Sequence, residues 1–253
     1  MTTTIAVSGK GGSGKTTLAA MITRFLLEQP DKKRILVVDA DPNACLGLML
    51  GVEPEVTIAD IREETRAKPP SNTGMDKLRS VEYGIQQAIT EAEGFDLLTM
   101  GRPEGPSCYC AVNNMLRKFL DQLSSQYEFV IIDNEAGMEH LSRRTTNNVE
   151  LLCIVAEPNT IGTLTAQRIF DLSRKLPIVV KKTGIIWNRA ENDKEIDGID
   201  NFGYIPYDKS VFDASMQDKT VFDLANDSPA CMAARKIFED TLVSSSQATN
   251  LEL

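Results

Sequence analysis

The stretch GKGGSGKTT, Gly9 to Thr17, constrains this chain more than any other. It lies between a short β-rich apolar run, TTIAVS, and a helical pattern, KTTLAAMITRFLLEQ. That is the context in which a glycine-rich loop cradles phosphate. Glycines let successive backbone N–H groups converge on phosphate oxygens without Cβ clashes. The helix that follows adds the positive end of its dipole. In such a loop Lys15 reaches the β- and γ-phosphates, and the Thr16 hydroxyl coordinates Mg²⁺. A strand feeding a helix through this loop also implies an α/β chain with a parallel sheet.

The rest of the sequence keeps that rhythm. Short apolar runs alternate with helical patterns, the sign of βαβ units. Strands are expected at Thr3–Ser8, Arg34–Asp39, Phe95–Met100, Phe129–Asp133, Leu151–Ala156 and Thr183–Trp187. RILVVD is apolar almost throughout, as a strand covered on both faces should be. Helices are expected at Lys15–Gln29, where Leu18, Ile22, Phe25 and Leu26 share a face, and at Met115–Leu123, Ile161–Leu176 and Ala230–Leu242. Residues 51–93 read as irregular, with a loop at RAKPPSNTG and short helices beside it. The polar tail from about 243 is expected to fray. No repeat, linker or composition shift divides the chain, so residues 1–253 are expected to form one domain.

A chain of 253 residues with net charge −9 needs neither metal nor disulfide merely to fold. The acidic balance argues against nucleic acid as a partner, since counterion release needs clustered Lys and Arg. MTTTIAVSGKGG lacks the basic start and apolar run of a secretory signal. No window approaches the roughly 18 apolar residues of a membrane span. Five cysteines at irregular spacing are not a disulfide framework. A cytoplasmic, reducing location with free thiols is the expectation.

The loop also carries Lys10, which a simple phosphate-binding motif does not require. KGGxGKTT resembles the deviant Walker A loop of the family that includes nitrogenase iron protein, MinD, ParA and the arsenite pump ATPase. The resemblance implies a three-layer P-loop NTPase fold with a largely parallel central sheet flanked by helices. It implies that Gly9, Gly11, Gly12, Ser13, Gly14, Lys15, Thr16 and Thr17 hold ATP or ADP. It gives Lys10 the role of crossing a dimer interface to the partner's nucleotide. In VVDADPNA it makes Asp41 the switch I carboxylate that positions the attacking water, and places Asp39 near Mg²⁺. VIIDNEAG resembles a Walker B segment, in which Asp133 holds Mg²⁺ through water and Gly137 senses the γ-phosphate. Asn188 resembles the family's adenine-contacting Asn. Pro206 and Tyr207, in IPYD, resemble the loop that closes over the base. ATP is implied over GTP, and no NKxD guanine signature is present.

The cysteines divide by setting. Cys153, inside LLCIVA, is expected as a small core residue. Cys45 and Cys231, at expected helix starts, should pack rather than ligate, and the lone His140 is expected at the surface or in packing. Cys108 and Cys110 differ. They follow Gly105 and Pro106, lie outside any apolar run and open an expected helix, whose dipole favours thiolates. Two thiolates do not complete a coordination shell. A two-fold dimer would supply a second pair, and four thiolates suit Zn²⁺ or Ni²⁺, or Cu⁺ at lower coordination. A redox pair and two incidental thiols are the competing readings.

GRPEGPSCYC resembles the segment where nitrogenase iron protein carries one interfacial cluster cysteine, but DNEAGMEH lacks the other. The loop, GPSCYC and DNEAGMEHLSRRT together closely resemble the CooC-type ATPases, over residues from about 3 to 240. That resemblance implies a nucleotide- or metal-dependent homodimer hydrolysing ATP and holding Ni²⁺ or Zn²⁺ on Cys108 and Cys110. Its client would be carbon monoxide dehydrogenase or the related acetyl-CoA synthase. The alternatives are a MinD- or ParA-like spatial switch and an iron–sulfur electron donor. TLVSSSQATNLEL is no basic amphipathic helix of the kind MinD uses at membranes.

Overall fold

The computed structural model describes residues 2–67, 83–102, 123–135 and 148–248. Its strands are β1 (Thr3–Gly9), β2 (Ile35–Ala40), β3 (Ile89–Glu91), β4 (Asp96–Thr99), β5 (Phe129–Asn134), β6 (Asn148–Ala156), β7 (Val179–Asn188) and β8 (Asp200–Ile205). They form one sheet in the order β3-β4-β2-β5-β1-β6-β7-β8. Every neighbouring pair is parallel except β3 and β4. Parallel neighbours need crossovers, and crossover helices cover both faces of such a sheet.

The helices are α1 (Lys15–Leu27), α2 (Leu46–Leu50), α3 (Ile58–Ala67), α4 (Thr160–Ser173), α5 (Lys209–Met216) and α6 (Pro229–Ala248). Side-chain alternation along the strands separates two apolar layers. Ile5, Val7, Val37, Ile131 and Cys153 pack with α1, α2 and α6. Leu36, Val38, Val130 and Ile132 meet Ile58 and Ile61 of α3, while Ala6, Leu152, Ile154 and Trp187 meet Ala166 and Ile169 of α4. This is the expected three-layer α/β arrangement. α1 is buried along much of its length because α6 covers its outer side, with Phe25 and Phe238 rings 6.2 Å apart.

The expected strands all occur, with shifted ends. β6 and β7 are longer than expected because polar residues, Asn148 and Glu150 in β6 and Lys181 and Lys182 in β7, interrupt the apolar run near their starts. β3, β8 and α5 were not expected at all. α6 continues to Ala248, into the tail expected to fray. α3 supplies one of the short helices foreseen in the irregular region. The expected helix Met115–Leu123 lies outside the described residues except for Leu123, which is buried. Among the described residues no helix is long and apolar enough to cross a membrane.

Candidate functional site

β1 ends at Gly9 on the carboxyl edge of the sheet, and the glycine loop carries the chain into α1. Gly9 has no room for a side chain: a Cβ there would lie 2.4 Å from the Val155 carbonyl oxygen. Gly12 and Gly14 have φ of 78° and 96°, the left-handed region that favours glycine. Ser13 N–H donates to the Lys10 carbonyl at 3.1 Å and tightens the turn. Gly14 caps α1 without a side-chain bond, and no acid occupies the first turn. The amides and dipole at this helix start are therefore left for an anion.

Lys15 is only 6 % exposed, its ammonium held 3.5 Å from the Lys10 carbonyl. Lys10 itself is exposed. The two lysines of the loop thus have opposite settings: one is folded into the cradle and the other faces out.

Behind the cradle the register of the sheet aligns acids from two strands. Asp39 of β2 stands opposite Asp133 of β5, which stands opposite Val7 of β1. Both carboxyls are fully buried. Burial pushes Asp133 up to about 7, against the pull of the Thr16 hydroxyl and Lys15 and with the repulsion of Asp39 and Asp41. Neither Asp133 oxygen accepts a hydrogen bond among the described residues. Burial also lifts Asp39 to about 6, although Leu46 N–H and Asp41 N–H donate to it. An orphaned buried carboxylate beside a hydroxyl and a second acid is a donor set suited to a hard divalent cation. The residues present fit Mg²⁺. Asp41 is half-buried and already engaged, its Oδ1 accepting from the backbone and side-chain N–H groups of Asn43.

On the far side of the loop a cavity of about 450 Å³ opens between α1, β7 and α5. Gly14, Thr17, Asn188, Pro206 and Tyr207 all line it, so the structure brings these sequence-named residues together. Asn188 Nδ2 donates to the Ser13 carbonyl at 2.7 Å. The side chain therefore fastens the loop as well as facing the cavity.

Three residues that sequence reading missed complete the loop's surroundings. Arg189, at a left-handed φ of 55°, donates from Nη1 to the Gly12 carbonyl at 3.2 Å and to Glu157 at 2.8 Å. Its place next to Asn188 was the only available signal; Glu157 offered none. Met49 of α2 also lines the cavity, its sulfur accepting from the Thr17 hydroxyl at 3.7 Å.

Cys108, Cys110, Gly137 and His140 lie outside the described residues, and among the described residues no group of three or more acids, thiols or imidazoles is placed to hold a metal by itself. Cys153 is buried in the core as expected, its thiol pushed up to about 12. Cys231 is half-buried against the α1–α6 layer. Cys45 is exposed, contrary to the packing expected of it. It follows Ala44 at a left-handed φ of 51°, where the chain swings out before α2 begins.

Comparisons with known proteins agree with this geometry. The CbiA family, described as the CobQ/CobB/MinD/ParA nucleotide binding domain, matches residues 4–221. The chain is 39% identical over 246 residues to an uncharacterized ATP-binding protein of Methanocaldococcus jannaschii, covering 93% of this chain and 96% of that one. It is 34% identical over 250 residues to the carbon monoxide dehydrogenase accessory protein CooC of Rhodospirillum rubrum, covering 90% and 91%. The septum site-determining protein MinD of Pyrococcus horikoshii, solved with Mg-ADP, superposes with a TM-score of 0.68 at 21% identity over 95% of this chain and 96% of that one. At that identity the likeness is one of fold.

Proposed function

The chain belongs to the CobQ/CobB/MinD/ParA nucleotide-binding family of P-loop ATPases, and from that membership we propose a single-domain ATPase that works as a metallochaperone. Its cargo would be nickel, delivered during maturation of carbon monoxide dehydrogenase. The observation that carries this reading is the 34% identity to CooC across nine-tenths of both chains. The pair Cys108 and Cys110 in GPSCYC supports it.

In this reading the amides of Gly11 to Thr16 and the Lys15 ammonium take the β- and γ-phosphates. Thr16 and Asp133 would hold Mg²⁺, with Asp39 behind them, and the ion would offset charge on the phosphates. Asn188, Pro206 and Tyr207 receive the base. Asp41 must turn from Asn43 to orient water, whose oxygen bonds to the γ-phosphorus as the bond to the ADP oxygen breaks and the leaving ADP keeps the electron pair. Lys10 reaches the nucleotide of a second copy. Loss of the γ-phosphate releases the loop after β2, a recognised way to couple nucleotide state to shape. The cysteine pairs of two chains would then loosen their hold on the nickel they carry as substrate.

Equilibrium dialysis of Ni²⁺ and Zn²⁺ against the whole protein tests this, with ADP, with a slow ATP analogue and with neither. The parent should bind one ion per two chains, and the Cys108→Ser, Cys110→Ser double variant should bind neither metal. Equal binding by parent and variant would sink the thiolate site. Acetyl-CoA synthase as client would be distinguished by which apoenzyme gains activity from the nickel-loaded protein. The MinD-like fold keeps a spatial switch as the second reading; nucleotide-dependent binding to DNA or lipid vesicles without metal binding would favour it.

A further inference from the structure

Among the described residues the sheet is open along one stretch of its outer side. β7 pairs with β6 from Val179 onward, but β8 joins it only at Gly184, opposite Asp200. Among the described residues no strand pairs with Val179–Thr183 on that side. Alternate residues of such an edge direct backbone N–H and C=O outward, a template for another extended chain. This edge sits at the opposite end of the sheet from the glycine loop, because β7 runs parallel to β1 through β6.

A cavity of about 380 Å³ lies along it, lined among others by Phe170, Arg174, Val180, Lys182, Thr183 and Asp200. The segment RKLPIVVKK, residues 174–182, carries four cations and no acid in a chain of net charge −9. The Arg174 guanidinium lies 5.8 Å from the centre of the Phe170 ring, and the Lys182 ammonium 5.2 Å from that of Phe202. Aromatic faces thus hold both cations beside the edge, which lowers the ordering cost of binding an anion. Lys181 pairs with Glu150 at 3.4 Å, and Asp200 is the acid of the cavity lining.

Lysines on an edge strand also serve simply to discourage pairing. That role needs neither a cavity nor an arginine brought in from the end of the neighbouring helix. A second copy pairing edge to edge across a two-fold would set lysines against lysines, which is unfavourable. We propose that this edge receives an extended acidic segment of a partner protein, added as a strand beside Val179–Thr183 with carboxylates on both of its faces. Both faces are needed because Arg174 and Lys182 rest on rings of the two opposite apolar layers and Lys181 alternates with Lys182 along β7. Main-chain hydrogen bonds supply affinity in this mode, and side chains supply selectivity. The inference is independent of the metal reading.

The probe is a fluorescein-labelled, end-capped heptapeptide repeating Glu-Glu-Val, which carries carboxylates on both faces when extended, titrated into the full chain at low salt and followed by anisotropy. Saturable binding is expected, weakening by about tenfold or more in the Arg174→Glu, Lys182→Glu variant and by a similar factor on raising salt to physiological strength. The same peptide with alternate amides N-methylated keeps its charge but loses donors, and should bind the parent chain about tenfold more weakly. ATP turnover should not change in the double variant. No saturable binding, equal binding of the N-methylated peptide or of a Lys–Val peptide, or equal displacement by single-stranded DNA would each overturn the proposal. So would self-association in sedimentation that the double variant abolishes.

Discussion

Lys15 and Asp133 illustrate how a single buried charge is tolerated when a ligand is due. A lysine that is 6 % exposed has a desolvated ammonium, and here its fixed neighbours are a carbonyl at 3.5 Å and the nearby acids. Phosphate would complete its hydration-like shell. Lys15→Ala should weaken ATP binding roughly 10- to 100-fold, the worth of a charge-assisted hydrogen bond, as titration calorimetry would show. Lys10→Ala should leave affinity within about twofold yet slow ATP turnover about tenfold or more, since its proposed contact is with the partner's phosphates. The acids make a prediction of the opposite kind. Asp39 and Asp133 titrate near 6 and 7 in the folded chain, above the ordinary carboxylate value of 3.8. The folded state therefore holds more protons than the unfolded one between about pH 4 and 7, and their contribution to stability falls as pH rises through that window. Nucleotide-free protein should lose melting temperature between pH 5 and 7.5, and an Asp39→Asn, Asp133→Asn variant should lose most of that slope. Mg²⁺ with nucleotide should flatten it in the parent.

Asp208 works at the scale of elements. Its carboxylate accepts from Ser210 N–H and hydroxyl, from the Ser228 hydroxyl and from Ala230 N–H. It therefore caps α5 and ties the start of α6 to the segment carrying Pro206 and Tyr207. Burial alone would raise its pKa, but these donors draw it down to about 2. The stabilisation is thus complete above about pH 4 and fades only as pH falls through about 2. Asp208→Ala should cost about 2 kcal/mol in denaturant unfolding at pH 7, at the upper end for a helix cap, and should also weaken ATP binding by loosening the cavity wall. Elements differed in how readily they could be read. β2 and β5 are apolar up to their closing acids because both of their faces are covered, so ILVVDA and FVIID announce themselves. β8, DNFGYI, is an outermost strand with little to bury, and α5 buries no residue fully. Neither leaves a periodic apolar signal. Cys45 was misread for a related reason: the loop before α2 turns it outward, and loop geometry has no period.

At the scale of the molecule the two ends of the sheet differ in character. The carboxyl end holds the loop, the paired acids and the 450 Å³ cavity; the amino end of β7 holds the open, cationic edge. Sedimentation of the proposed metallochaperone should show monomer without ligands and dimer with a slow ATP analogue or with Ni²⁺. A monomer under every condition would remove the basis for sharing thiolates.

The glycine loop, its two lysines and the strand–loop–helix unit were legible because they depend on φ values and amides within nine consecutive residues. The family, too, could be recognised from that stretch and the segments around Asp41 and Asp133. Tertiary structure alone decided that Asp39 and Asp133 stand side by side, since that follows from β2 pairing with β5 in one particular register. It alone brought Arg189 to the Gly12 carbonyl and Glu157 to Arg189. It alone stopped β8 short of Val179–Thr183, which pair with no strand on that side among the described residues. Spacing along a chain fixes which groups can share a turn. Which distant groups meet is set by strand order and register, and those are chosen by the burial of the whole sheet.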